Sequence, residues 1–382
     1  MLHAAGGSKG VRLLTLLLLL LTVGLARADV IDDMAPNTWR QLPGTKIRSV
    51  APPIAPYGAT GLAAVITAWS GAAYDEVNDA LWIWGGGHQD YAGNELYRLS
   101  LKTLKMERVT DPTPNQFIDF PAAGTGAAYA DGNPRSKHTY SGMAFLNGKF
   151  FAHGGSNWSY NGGMQKDTWE FDPSTKTWKR LANIDSCYPG FTRPYGARDP
   201  LTNTILMHKY VKLCEYTPAT NTWRSRGGFP AGADPFATMT FDPVNRLLLL
   251  IGKGLRYYDM KSASSNIPMQ TMTTIGDQTA VNAEWPGCDW HPPSKSIVCW
   301  AGGKSVYALD TKTATWTKTT ASASSLTPNS PAPRGTHGRW RWTGRGVFVV
   351  VNSVDQDAWV YKPLPVGGLP NPATGLSVQW EN

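Results

Sequence analysis

HTYSGMAFLNGKFFAHGG, residues 138–155, reads as two short apolar stretches joined by Asn147-Gly148. Asn-Gly between alternating apolar runs is the strongest local signal for a tight β-hairpin, because both residues tolerate the left-handed backbone that a two-residue turn needs. The spacing predicts a first strand over 139–146 and a second over 149–155 that ends in Gly154-Gly155. A third strand follows over 167–172 and a fourth, carrying Trp178, over 177–181, so that 138–181 makes one four-stranded unit.

The same landmarks recur along the chain, and recurrence at this period is the signature of a repeat architecture. Upstream, Leu81-Trp82-Ile83-Trp84 runs into Gly85-Gly86-Gly87 and is followed by a strand around Tyr97, giving a unit over 61–110. Further units begin near residues 195, 236, 287 and 336. The sixth has no Trp-bearing fourth strand of its own, and residues 37–42, with Trp39, have that strand's pattern. An N-terminal strand completing the last unit closes a ring and removes the free edges of an open sheet. A seventh unit would have to come from 112–133, which reads instead as a long functional loop. The fold class is therefore all-β, with six or seven four-stranded blades. Sixteen Trp, 39 Gly and 28 Pro suit many short strands, tight turns and aromatic packing.

This pattern resembles the kelch and galactose-oxidase-like β-propellers over nearly all of the chain after residue 28. The resemblance implies that the first strand of each blade lines a central channel. It also implies that one face of the disc carries the loops entering the first strands and leaving the second ones.

Lys9 and Arg12 precede an apolar run over 13–25 that ends in Ala26-Arg27-Ala28, the pattern of a cleavable signal peptide. The run is too short to span a bilayer comfortably, so a secreted or periplasmic chain with no membrane contact is expected after cleavage. Losing Lys9, Arg12 and Arg27 and no acid lowers the net charge from +8 to +5. A basic chain without Lys/Arg runs argues against nucleic acid and leaves room for a groove that attracts anions. Residues 29–382 are expected to form one propeller domain and a monomer. In an exported chain the four cysteines should be oxidised. A turn at 292–295 sets Cys288 opposite Cys299, and Cys187 and Cys214 fall towards one face as a second pair. The competing reading, metal ligation by Cys214 with His208, matches no zinc spacing.

Strand direction assigns the histidines. His88 and His208 end second strands and His138 and His337 open first strands; with His153, these five fall at one end of the channel, and only His291 falls at the other. Tyr91 and Asn94 lie in the loop after His88, and Arg135, Arg193, Lys209, Arg334 and Arg339 flank the same face. Cations with His and Tyr are what β-elimination of a uronic acid needs. A cation neutralises the carboxylate, one side chain takes the proton from the adjacent carbon, and another protonates the leaving oxygen.

The chain is also similar to the β-propeller polysaccharide lyases that act on ulvan and related uronate polymers. The similarity rests on the propeller, the Gly-Gly-Gly-His88 loop and the blade that begins at Tyr195. It implies Tyr195 as the acid with His88 or His138 as the base, and Lys209, Arg193 or Arg135 as the holder of the carboxylate. By their place on the same face His208 joins the catalytic candidates, and Tyr91, Asn94, His337 and Arg339 join the contacts to an acidic polysaccharide or other glycan. No cofactor is required, although the channel leaves room for a structural cation. Two alternatives stand beside the lyase: a non-catalytic propeller binding a glycan or protein, and a copper radical oxidase, which needs a Cys cross-linked to a Tyr.

Overall fold

The computed structural model describes residues 1, 29–120, 126–158, 165–184, 187, 193–209, 212–228 and 236–366. Apart from Met1, the expected signal peptide lies outside them. Six sheets, each with four antiparallel strands, are arranged as blades, and the third and fifth add a short parallel strand at the outer edge. Blade one holds Gly71–Asp75, Ala80–Trp84, Tyr97–Ser100 and Lys105–Arg108, and blade two holds Met143–Leu146, Lys149–His153, Thr168–Asp172 and Thr177–Arg180. Blades three, four and five begin at Tyr195–Asp199, Thr238–Asp242 and Gly287–His291. The first strands of successive blades pack on one another from blade one to blade six. Ala72 N–H donates to the His337 carbonyl at 3.1 Å, which joins blade six back to blade one. The stretch 112–133 contributes no sheet strand among its described residues, so the ring has six blades.

Closure is as the sequence predicts. Thr38–Gln41 pairs antiparallel with Trp359–Lys362 as the outer strand of blade six, with Trp39 opposite Tyr361. Trp39 is 1% exposed, and its ring lies 5.1 Å from Tyr361, 5.6 Å from Trp340 and 5.8 Å from Trp300. Burying an aromatic of this size anchors the N-terminal strand by area alone, and the tilted ring pairs add to it. At the opposite end of the channel the hairpin turns are set by aspartates. Asp75 and Asp242 each accept backbone N–H bonds from two and three residues downstream, and Asp79 and Arg246 close these turns with positive φ.

Two predicted first strands begin later than the apolar pattern suggests. That of blade two starts at Met143 and that of blade six at Trp340. Tyr140 (φ 47°) and His337 (φ 44°) hold left-handed turns just before them, and Lys137–His138 instead pairs with Ser156–Asn157. Trp69 (φ 50°) and Trp285 (φ 44°) occupy the corresponding place two residues ahead of blades one and five. Bulky residues with positive φ are uncommon and cost stability, so a shared use of them here marks the channel mouth as a built feature.

Both disulfides form as expected, Cys187–Cys214 and Cys288–Cys299, the second across the register Cys288 opposite Cys299. No helix among the described residues is long and apolar enough to cross a membrane.

His153 lies 2% exposed between blades two and three, 5.1 Å edge-on from Trp223, with its Nε2 unpartnered. Burial, and then the charge of Lys137, push its imidazole from the ordinary 6.5 down to about 3. Between those values the unfolded chain binds a proton that the native chain does not, so this residue's contribution to stability falls as the pH falls. Replacing His153 with Phe is expected to remove a slope of about 1.4 kcal/mol per pH unit over that window. Denaturant titrations of both proteins at several pH values check it.

Candidate functional site

Gly85, Gly86 and Gly87 all have positive φ, and His88 follows with φ 45°. This run turns the end of blade one's second strand over the start of blade two. Gly86 N–H donates to the Lys137 carbonyl at 2.9 Å, Gly87 N–H to Ser136 Oγ at 2.8 Å, and His88 N–H to the Asn157 carbonyl at 3.0 Å. A Cβ on Gly87 would lie 2.4 Å from the His138 nitrogen, so only glycine allows this approach.

The approach brings two predicted residues together. The His88 and His138 rings stack with centroids 5.6 Å apart and planes 16° apart. His138 Nε2 is 2.9 Å from Asp90 Oδ2, and Thr60 Oγ donates to the other Asp90 oxygen at 2.7 Å. The hydrogen bond to His138 holds the Asp90 carboxyl below its ordinary range. Burial, reinforced by His138, lowers His88. His88 and Asp90 are half-buried and reach the mouth, and His138 is 6% exposed behind them. Trp69, half-buried, lies 5.0 Å from the His138 ring. The site therefore offers a neutral imidazole, a second imidazole on a carboxylate, and an indole.

The same loop spends its other polar groups on its own frame. Tyr91 Oη donates to Glu95 Oε1 at 2.7 Å, and Tyr97 Oη to the same oxygen at 2.8 Å. Asn94 bonds Thr113 and the Pro134 carbonyl. Tyr91 is 1% and Asn94 3% exposed, so both brace the loop rather than face a ligand.

Two of the flanking cations also turn inward, which corrects the expected anion-facing surface. Arg135 is bonded to Asp119 at 2.5 Å and to the carbonyls of Ala128 and Trp158. Arg339 is fully buried and donates to the carbonyls of Val351, Gly335 and Ser70. Burial lowers its guanidinium to about 9. His337 is also fully buried, between Tyr140 (5.2 Å) and Trp285 (5.7 Å), and burial brings it to about 3. It forms the floor of the mouth.

Tyr195 and His208 make a separate pair, opposite each other across blade three with rings 6.3 Å apart. They are 1% and 0% exposed, and His208 Nδ1 is 3.0 Å from Tyr258 Oη inside the apolar packing between blades three and four. The structure thus divides the four catalytic candidates into a pair at the mouth, with His88 half-buried and His138 behind it, and a fully enclosed pair. Arg193 is exposed, and the Lys209 side chain lies outside the described residues. All four cysteines are paired, which leaves none for a Cys–Tyr cross-link of the radical-oxidase kind. Among the described residues no group of three or more His, Cys, Asp or Glu side chains is arranged to hold a metal ion.

Residues 138–184, which are blade two and its approach, match the kelch motif. The chain carries a kelch repeat. Together with the six-sheet ring, this makes the fold a kelch-type β-propeller. No curated protein matches the chain. Solved structures similar to it include that of YjhT, at 13% identity and a TM-score of 0.48, covering 84% of this chain and 95% of that one. Another is a fungal alcohol oxidase of the AA5 family in complex with copper, at 12% identity and a TM-score of 0.45, covering 79% and 75%.

Two residues of this site, Asp90 and Trp69, are not among the candidates that the sequence offers. The signal for Trp69 was its place two residues ahead of a first strand, where Trp285 also stands. Asp90 becomes visible only when His138 is brought to it across 48 residues.

Proposed function

We propose that this kelch propeller binds an acidic polysaccharide across the channel mouth and cleaves it by β-elimination. One observation carries the reading: a half-buried His88 stacked on His138, which is itself bonded to Asp90, at the open end of the channel. His88, held neutral by burial, accepts the proton from the carbon beside the uronate carboxylate. The electron pair left behind forms a carbon–carbon double bond as the adjacent C–O bond breaks. His138, oriented by Asp90, returns a proton to the departing oxygen. No electron is transferred. Tyr195, the earlier candidate for the acid, is enclosed, and His138 takes that role here.

The test is incubation with ulvan, alginate, pectin and glucuronan while ultraviolet absorbance is recorded. An unsaturated product on one of these polymers is the expected result. Retention on affinity gels with no absorbance change on any polymer would make the propeller a glycan-binding module, a reading that the half-buried Trp69 also serves.

A further inference from the structure

The uronate reading needs a cation, and Arg135 and Arg339, two of the arginines that flank the mouth, are committed elsewhere. Arg334 is different. It lies in the loop that leads into blade six, is exposed, and places its guanidinium carbon 4.5 Å over the ring of Trp69. Among the described residues no group accepts a hydrogen bond from its guanidinium and no carboxylate pairs with it. By contrast, Arg341, seven residues on, is held by Asp289 at 3.1 Å, and Arg345 by Asp29 and Asp32.

We infer that Arg334, laid on Trp69, is the residue that grips the carboxylate of the sugar acid at this mouth. The inference rests on the uronate reading above and names the specificity-determining cation within it. Trp69 meets both the Arg334 guanidinium, at 4.5 Å, and the His138 ring, at 5.0 Å, so one indole links the cation to the His88–His138 pair. A guanidinium stacked on an indole keeps its in-plane N–H groups free. That edge is the fork that meets a carboxylate with two parallel hydrogen bonds, which a lysine cannot do. The stack also restricts a side chain that would otherwise lose rotamer freedom on binding.

Two contacts hold the arrangement. His337 Nε2 meets the Arg334 carbonyl, and Tyr140 N–H donates to the Trp69 carbonyl at 2.6 Å while Trp69 keeps its left-handed backbone. Trp69 is thus a positioning residue for Arg334. The buried His337, which faces no solvent, is what ties the loop down.

The test uses full-length protein carrying His88→Ala, so that the ligand survives, and calorimetry with three oligosaccharides of equal length: a uronate oligomer, its carboxyl-reduced form and a sulfated neutral oligomer. Adding Arg334→Lys should weaken uronate binding about tenfold or more while leaving the reduced oligomer unchanged, since charge is kept and the fork is lost. Trp69→Leu should lower the ratio of uronate to neutral affinity in the same direction. A ratio unmoved by either change overturns the assignment. Binding of the sulfated oligomer at least as tight as the uronate, and equally sensitive to Arg334→Lys, overturns the carboxylate in favour of a sulfate ester. Failure of the His88→Ala parent to prefer uronate over the reduced oligomer instead brings down the uronate reading itself.

Discussion

Asp167→Ala is expected to destabilise the protein by about 3–5 kcal/mol, because it strands a buried ammonium. Lys137 and Asp167 are each 1% exposed at the side chain and form an ion pair, and Trp169 Nε1 also donates to Asp167. Burial already pushes the Lys137 ammonium down, and the Asp167 charge is what opposes it. A loss of this size is a large part of the 5–15 kcal/mol that holds a typical fold. Replacing both partners, Lys137→Met with Asp167→Leu, should recover most of it, since a buried pair is often no better than apolar groups of similar volume. Urea midpoints of the single and double variants measure both. A single variant as stable as the parent would show that Lys137 finds another partner.

Gly87→Ala should abolish most of the proposed lyase activity while leaving the other blades in place. The new Cβ would stand 2.4 Å from both the His138 nitrogen and the Lys137 carbonyl carbon, which are backbone atoms with no freedom to yield. The φ of 62° adds a left-handed penalty of about 1–2 kcal/mol. Relief requires the His88 loop to lift away from His138, and a displacement of this order between the proposed base and acid would cost about 10²-fold in rate. Gly132→Ala is the control. Its φ is also positive, at 87°, but nothing lies within 4 Å of its Cβ. Rates and melting temperatures of the two variants should therefore diverge, and equal loss in both would mean that backbone strain alone is responsible.

The parts of the molecule legible in the sequence are those governed by local rules. Asn147-Gly148 sets a hairpin by turn geometry, the turn at 292–295 sets Cys288 against Cys299, and Trp39 announces a strand that must pair at the ring's closure. Strand direction also identifies which end of the channel a residue occupies. It does not tell whether the side chain there ends in solvent. Arg135 and Arg339 are at the expected end, yet one meets Asp119 and the other three carbonyls, because folding brings acceptors to them from distant segments. Arg334 on Trp69 joins positions 265 residues apart in sequence and has no local signature. The late starts at Met143 and Trp340 have a similar origin, since the left-handed turns at Tyr140 and His337 serve packing around the mouth rather than the strand pattern.

The proposed elimination is tested most directly by comparing the parent with His88→Ala on ulvan, alginate, pectin and glucuronan, recording ultraviolet absorbance and gel retention together. General acid–base groups of this kind supply about 10²–10⁴-fold. A loss of absorbance in that range with retention unchanged is the expected result. Formation of the unsaturated product by His88→Ala at the parent's rate would contradict it.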